Sequence, residues 1–410
     1  MLEIKKLQEE DIESFTKLFS NAYPGFPGTP EQKKANMTRF FGFPEREFYG
    51  AFKGDTLVGG VCLLDFEMNL RGDGMIPVGG IALVAVDLLR KKEKIAKEIL
   101  IYSLDHFRQK GISYVTLYPF RMSFYKQMGF GYGAEYRRFN LETSGINNFG
   151  SKDNLEMLTE ANLEEVLACY NRYSKTRNGL TPLAKHHLEP FFRQDAVRVV
   201  GYRQAGELKG YMVMRFQREQ PLVNQLVISH LVYETNEAIQ EFCTFLHTQE
   251  DQFHRVSFST QDENILFLLN NPSTKTYDAF EGLYLETSVT GCGLMVRAVD
   301  VAGLFGDLKH HNFNGESVKL SVTLEDSFLS ENNRSTLIQF VEGRPEVIEG
   351  GAADVELTIR VDNFSSLIAG ATSFRSLHMT GLAKLSDDSY AAQLQRLFRT
   401  EEKPMCMFGF

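Results

Sequence analysis

Apolar side chains recur along the chain at two periods, and the points where the period changes mark the elements. From Asp11 to Asn21, Ile12, Phe15, Leu18 and Phe19 fall at helical spacing. Phe48 to Phe52 and Leu57 to Asn69 read as strands, and Arg71-Gly72-Asp73-Gly74 as the hairpin turn that sends Met75 to Val86 back as a largely buried strand. A helix is predicted from about Lys94 to Gln109, with Ile95, Ile99, Tyr102 and Phe107 roughly on one face. Gly111 stops it, since glycine adopts the left-handed cap conformation without a Cβ clash. Tyr114 to Tyr118 is a further strand.

The same plan returns downstream. Val197 to Tyr202 and Lys209 to Phe216 look like paired strands and Gln225 to Val232 like a buried one. A helix from about Glu237 to Phe253 and a strand from Arg255 to Ser259 follow. The order strand, turn, helix, strand occurs at 78–118 and again at 225–259, which suggests duplication of one α/β module on pattern rather than identity. The last region differs. Met295 to Val299, Ser317 to Glu325 and Asp354 to Val361 read as strands, then Asn363 to Ile368 and Ser389 to Phe398 as helices, an α+β order. The expected division is 1–150, 151–287 and 288–410: two α/β modules with mixed sheets, then a smaller α+β domain. The end, KPMCMFGF, is apolar where a solvated terminus is usually polar, so burial of Met405, Met407, Phe408 and Phe410 is expected.

Composition narrows the classes. Forty-four basic against 53 acidic residues give a net charge of −9, the wrong sign for a protein that displaces counterions from nucleic acid. The longest apolar run, Val78 to Val86, is far short of a membrane span, and the opening MLEIKKLQEEDIESF lacks the apolar segment of a secretory leader. The five cysteines stand at least 49 residues apart (Cys243 to Cys292), which suggests neither a zinc cluster nor a disulfide framework. A reduced, cytoplasmic setting is the expectation. The nine histidines show no metal-ligand spacing along the chain, and no metal is expected.

The chemistry concentrates in Val78 to Lys97. A buried strand runs into Arg90-Lys91-Lys92-Glu93-Lys94, four positive charges and one negative, at the start of a helix. Backbone N–H groups and the helix dipole attract anions there, and the added cations suit a pyrophosphate. A solvated basic turn would carry the same residues. The equivalent turn of the second module, Val232-Tyr233-Glu234-Thr235-Asn236-Glu237, has two acids and no base, so only the first module is equipped for a phosphate-bearing ligand.

Val84-Ala85-Val86, followed by Lys91-Lys92-Glu93-Lys94-Ile95-Ala96, resembles the acetyl-coenzyme A motif of the GNAT acyltransferases. Phe124-Tyr125-Lys126-Gln127-Met128-Gly129-Phe130 resembles that superfamily's closing F-Y-x-x-x-G-F segment. The whole layout, with Asn363 to Gly370, Leu397-Phe398 and Pro404 to Phe410, resembles the Eis-like branch: tandem GNAT domains, the second degenerate, then a sterol-carrier-protein-like domain. The resemblance implies acetyl-coenzyme A-dependent acetylation of a primary amine on a small molecule or peptide, and a homo-oligomer, a hexamer in that branch. It implies cofactor contacts from Val84, Ala85, Val86, Lys91, Lys92, Glu93, Lys94, Ile95, Ala96, Lys97, Phe120 and Arg121. It also implies Tyr125 as the acid that protonates the departing thiolate, and the main-chain carboxylate of Phe410 as the base.

The motif is altered where phosphate would bind. The family's central glycine falls on Lys94, which adds bulk as well as charge, and Glu93 sets an anion in the turn. A non-catalytic ligand-binding protein with an eroded coenzyme A site is therefore the competing expectation. Asp65 and Glu67, alternating on one strand face, are candidates to attract a cationic amine.

Overall fold

A computed structural model describes residues 2–220, 223–274, 279–280, 284–407 and 409–410; Phe408 lies outside the described residues. The first module is built on β1 (Leu2–Lys6), β2 (Arg46–Lys53), β3 (Thr56–Asn69), β4 (Met75–Val86), β5 (Tyr114–Leu117) and β6 (Gly131–Tyr132). β1 to β4 run antiparallel in sequence order, and β4 pairs β5 in parallel. Helices α1 (Ile12–Ala22) and α2 (Pro30–Phe41) cover one face. Helix α3 (Ile95–Gln109) covers the other, burying Ile95, Ile99, Leu100, Leu104 and Phe107. Glycine lets the layers close: a Cβ on Gly79 would stand 2.6 Å from the Phe107 ring.

α2 escapes the periodicity argument because only Met37 of its twelve residues is buried. Its start is nevertheless written in the sequence. Thr29 accepts from the Gln32 amide at 3.3 Å, Gln32 accepts from the Thr29 amide at 2.9 Å, and Pro30 opens the helix.

Strand β7 (Glu135–Glu142) leaves the first sheet and enters the second, between the strands Arg255–Thr260 and Val289–Cys292. In return, Met295–Ala298 inserts into the first sheet between β5 and β6. The crossover is pinned by Gly133 N–H to Leu294 O and Gly293 N–H to Ala134 O, each 2.9 Å. The two sheets thus share one antiparallel ribbon, and sheet membership does not follow covalent order.

The second sheet repeats the parallel pairing, Gln225–Ile228 against Arg255–Phe258. The C-terminal region forms a five-stranded sheet with helices including Val361–Ala369 and Ala391–Phe398. Its apolar core is continuous with Met68, Leu70, Ile76, Val78 and Tyr114 of the first module. Tyr114 Oη donates to Ser365 O at 2.9 Å across that boundary. No helix among the described residues is long and apolar enough to cross a membrane.

Candidate active site

β4 and β5 are paired only over Gly79–Ile81 against Val115–Leu117, so from Ala82 onward the β5-facing edge of β4 has no ladder partner. The parting is helped by a bulge in the β3–β4 register between Gly60 and Cys62, where Leu83 takes φ +52°. Val84, Ala85 and Val86 thus sit on a strand edge beyond the end of that ladder. Tyr23, at the end of α1, donates from Oη to Val84 O at 2.8 Å. Burial raises its hydroxyl to about 12. Nothing in the local sequence marked Tyr23, which reaches across 61 positions.

The turn that follows leads from Asp87, whose carboxylate accepts from Leu89 N–H at 2.8 Å, to the start of α3. The first hydrogen bond at the helix start runs from Glu98 N–H to Lys94 O at 3.1 Å, so the amides of Ile95, Ala96 and Lys97 precede it, an anion-binding geometry. Lys91, Lys92 and Lys94 are exposed beside them. Lys92 has φ +70° and Lys94 φ +64°, the left-handed region that glycine takes most easily. A glycine at the Lys94 position would meet this geometry without a Cβ.

Two side chains of this turn have partners elsewhere in the fold. The carboxylate of Glu93 is held by Lys53, with Arg90 at 3.5 Å, so its charge is already compensated and turned toward β2. Lys97 lies 5.7 Å from the centre of the Phe328 ring, on the side of the C-terminal region. Ile95 is a core side chain and has only its backbone to offer a phosphate.

Tyr125 lies on α4 (Met122–Lys126), 2% exposed, edge-on to Phe120, Phe124 and Phe130 at 5.5, 5.1 and 5.9 Å. Its hydroxyl has no hydrogen-bond partner among the described residues. Burial first, and then Tyr23, push its pKa far above the usual phenol value, so it stays a proton donor at neutral pH. Phe120 and Arg121 stand exposed at the outer lip of the same loop.

A five-residue helix cannot hold itself. Lys126 pairs with the buried Asp362 at 2.8 Å. Arg297, also buried, donates to Met128 O and to Asp326 Oδ2, each at 2.5 Å. A Cβ on Gly129, φ +79°, would fall inside the Arg297 guanidinium, and one on Gly131 would overlap Asp362 O. The glycines of the Gly129-Phe130-Gly131 segment are thus demanded by groups from beyond residue 290.

The tail crosses between the modules. Met405 N–H donates to Asn178 O at 2.7 Å, while Cys406 O accepts from Tyr136 Oη at 2.5 Å and Gln261 Nε2 at 2.7 Å. Met405 and Met407 pack into the second module, and Cys406 Sγ meets Tyr118 Oη at 2.7 Å. Phe410 is half-buried on the first sheet, its ring 5.3 Å from Phe66 and 5.5 Å from Tyr118. Its Cε2 lies 3.2 Å from where a Cβ on Gly80 would stand. Phe410 and Tyr125 therefore flank the loop that leaves β5.

Asp65 and Glu67 alternate with Phe66 on β3, so they point away from the tail, and Asp65 is held by Lys110 at 2.6 Å. A cavity of about 460 Å³ lies beside α4 at the junction with the second module, but Tyr125, Phe410 and residues 84–97 do not line it. In the second module the matching parting of strands is walled by Met405 and Met407. Thr235 Oγ1 caps that module's helix at 3.2 Å and Glu234 pairs with Arg172 at 2.9 Å, leaving an acidic, occupied turn.

Family models match three stretches: an acetyltransferase (GNAT) domain over residues 3–133, a second over 184–285, and a sterol carrier protein domain over 303–407. The two GNAT domains mark an acyltransferase. Its domains come in the order of two GNAT domains followed by a sterol carrier protein domain. The fold is shared with Eis1 from Mycobacterium abscessus at 16% identity and TM-score 0.80, covering 100% of both chains. It is shared with a GCN5-related N-acetyltransferase from Anabaena variabilis at 18% and 0.81, again over 100% of both. A GCN5-related N-acetyltransferase from Kribbella flavida matches at 15% and 0.80, over 100% of this chain and 98% of that one. No curated protein matches the chain.

Proposed function

We propose that the protein transfers the acetyl group of acetyl-coenzyme A to a primary amine of a small molecule or peptide. The observation that carries this reading is the parting of β4 and β5 beside a basic helix start, with the protonated Tyr125 phenol in the same module. The free edge at Val84–Val86 offers backbone groups to a pantetheine arm. Lys91, Lys92 and Lys94, with the amides of Ile95, Ala96 and Lys97, meet the pyrophosphate. An N–H of the same edge stabilises the oxyanion as the amine attacks the thioester carbonyl. Tyr125 gives its proton to the leaving thiolate, and the terminal carboxylate of Phe410 takes one from the amine. Most of the acceleration comes from holding two partners in register. The second module serves as scaffold. The working form is a cytoplasmic homo-oligomer, for which ultracentrifugation is the measure.

The left-handed Lys92 and Lys94 favour one other reading, a ligand-binding protein whose coenzyme A site has decayed. Calorimetry with acetyl-coenzyme A, followed by a thiol-release assay over a panel of amines, separates the two. Saturable binding with amine-dependent thiol release supports the transferase. Absence of binding at millimolar ligand overturns it.

A further inference from the structure

We propose that Glu45, His186 and His187 form a binding site for one divalent ion of the zinc class, which ties the first module to the second. Glu45 lies in the loop between α2 and β2, and the two histidines lie on the helix Lys185–Arg193 of the second module. One ligand atom from each, a carboxylate oxygen and two ring nitrogens, lie within 4.8 Å of one another. His186 Nε2 stands 3.4 Å from Glu45 Oε1. Donors about 2.1 Å from a tetrahedral ion stand about 3.4 Å apart, so this pair is already at the separation an ion requires.

The nitrogen is also an anomaly without a ligand. His186 Nε2 is buried and has no hydrogen-bond partner among the described residues, a state that ordinarily carries a desolvation cost. The imidazole is held in place by stacking, 4.2 Å from the Phe43 ring and 4.0 Å from the His187 ring. His187 is oriented by its Nδ1, which lies 3.2 Å from both the amide nitrogen and the carbonyl oxygen of Ala184 at the start of the same helix. The nearest cation, Arg46, approaches Glu45 at 4.0 Å, but its guanidinium lies over the Phe40 ring at 4.7 Å and the Phe43 ring at 5.5 Å.

Two imidazoles and one carboxylate make a zinc donor set, whereas magnesium and calcium prefer oxygen throughout. Three protein ligands leave a fourth position for water, and all three residues are half-buried, so an ion can enter. Glu45 and His186 are 141 positions apart in sequence, which is why spacing along the chain gave no sign of the cluster.

The test uses the full-length protein freed of metal by a chelator. Calorimetric titration with Zn²⁺ should show one saturable site per chain that Mg²⁺ does not fill, and the thermal midpoint should rise when Zn²⁺ is present. Glu45→Gln and His186→Ala should each weaken binding at least tenfold with unchanged circular dichroism. Glu45→Gln keeps shape and size, so it remains informative if the histidine variant folds poorly. Co²⁺ loaded in place of Zn²⁺ should absorb weakly in the visible without a thiolate charge-transfer band. No saturable uptake, full-affinity uptake in Glu45→Gln, or a thiolate band that places the ion on cysteines would each overturn the proposal.

Discussion

The carbonyl oxygen of Met128 accepts a 2.5 Å hydrogen bond from Arg297, a residue 169 positions further along the chain. The donor lies on the strand that the C-terminal half lends to the first sheet, and the acceptor is three residues past Tyr125. The position of the proposed acid is thus set by a buried guanidinium whose other partner is Asp326 at 2.5 Å.

Removing Arg297 leaves Asp326 charged and buried, a situation that costs about 3–5 kcal/mol. Arg297→Met should lower stability to denaturant by that amount. The double variant Arg297→Met with Asp326→Asn should lose less, because no uncompensated charge remains. A single-variant loss under about 1 kcal/mol would show that the pair contributes little.

Lys94→Gly replaces a left-handed lysine with the residue suited to φ +64°. Relief of about 1 kcal/mol of backbone strain should appear as a raised denaturation midpoint. Acetyl-coenzyme A should bind at least as tightly, since a closer backbone offsets one lost charge. Neutralising Lys91 and Lys92 together should weaken binding by about 1–3 kcal/mol, more at low salt. Equal affinity in that double variant would place the pyrophosphate elsewhere.

Much of the first module was legible because its elements are long and one-sided: β4 runs over Met75–Val86 and α3 over Ile95–Gln109, close to where periodicity put them. The strand exchange was not legible. β7 and Met295–Ala298 have ordinary strand patterns, and nothing local says which of two similar sheets will receive them. The candidate site divides along the same line. Its motif residues came from the resemblance of segments 84–96 and 124–130 to a known family, whereas Tyr23, Arg297 and Asp362 act through contacts 61, 169 and more than 200 positions away. The partner of Glu93 was hidden for the same reason, since Lys53 is on another strand.

Stability should fall on mild acidification. His230 is held down to about 4 by burial, against about 6.5 in an unfolded chain. Below pH 6.5 the unfolded chain takes up protons that the folded one refuses, so stability is full above that pH and declines toward pH 4. Glu47, lowered to about 2 with Lys6 and Lys110 as partners, adds a separate loss at lower pH, as it becomes protonated. Urea midpoints at pH 7.5, 5.5 and 4.5 measure the first window. His230→Gln should flatten the slope there, and an unchanged slope would remove His230 from the account.

Tyr125→Phe deletes one hydroxyl that has no hydrogen-bond partner among the described residues and keeps a ring packed against three others. Folding and coenzyme A affinity should therefore hold while turnover falls about 10²–10⁴-fold. Wild-type turnover should show no loss from phenol ionisation up to pH 10, because burial raises that pKa. Turnover of Tyr125→Phe within a factor of a few of wild type would assign the proton to another donor.

The terminal carboxylate is the most exacting case, because it joins opposite ends of the chain. Residues 405 and 406 are fixed by Asn178, Tyr136 and Gln261, and the Phe410 ring rests on Phe66 and Tyr118. Adding a few residues after Phe410 leaves the anchors at 405 and 406 in place, but turns the carboxylate into a neutral amide. If that carboxylate is the base toward the amine, turnover should drop about 10²–10⁴-fold while coenzyme A affinity and the thermal midpoint stay close to native. Removing Gly409 and Phe410 should give the same kinetic loss with a modest drop in midpoint, since the Phe410 ring contacts go too. Proteolytic cleavage of the added residues back to Phe410 should restore activity, which separates a chemical role from a folding defect. An extended chain that acetylates amines at the native rate would rule the terminal carboxylate out, and a water chain would then have to carry the proton.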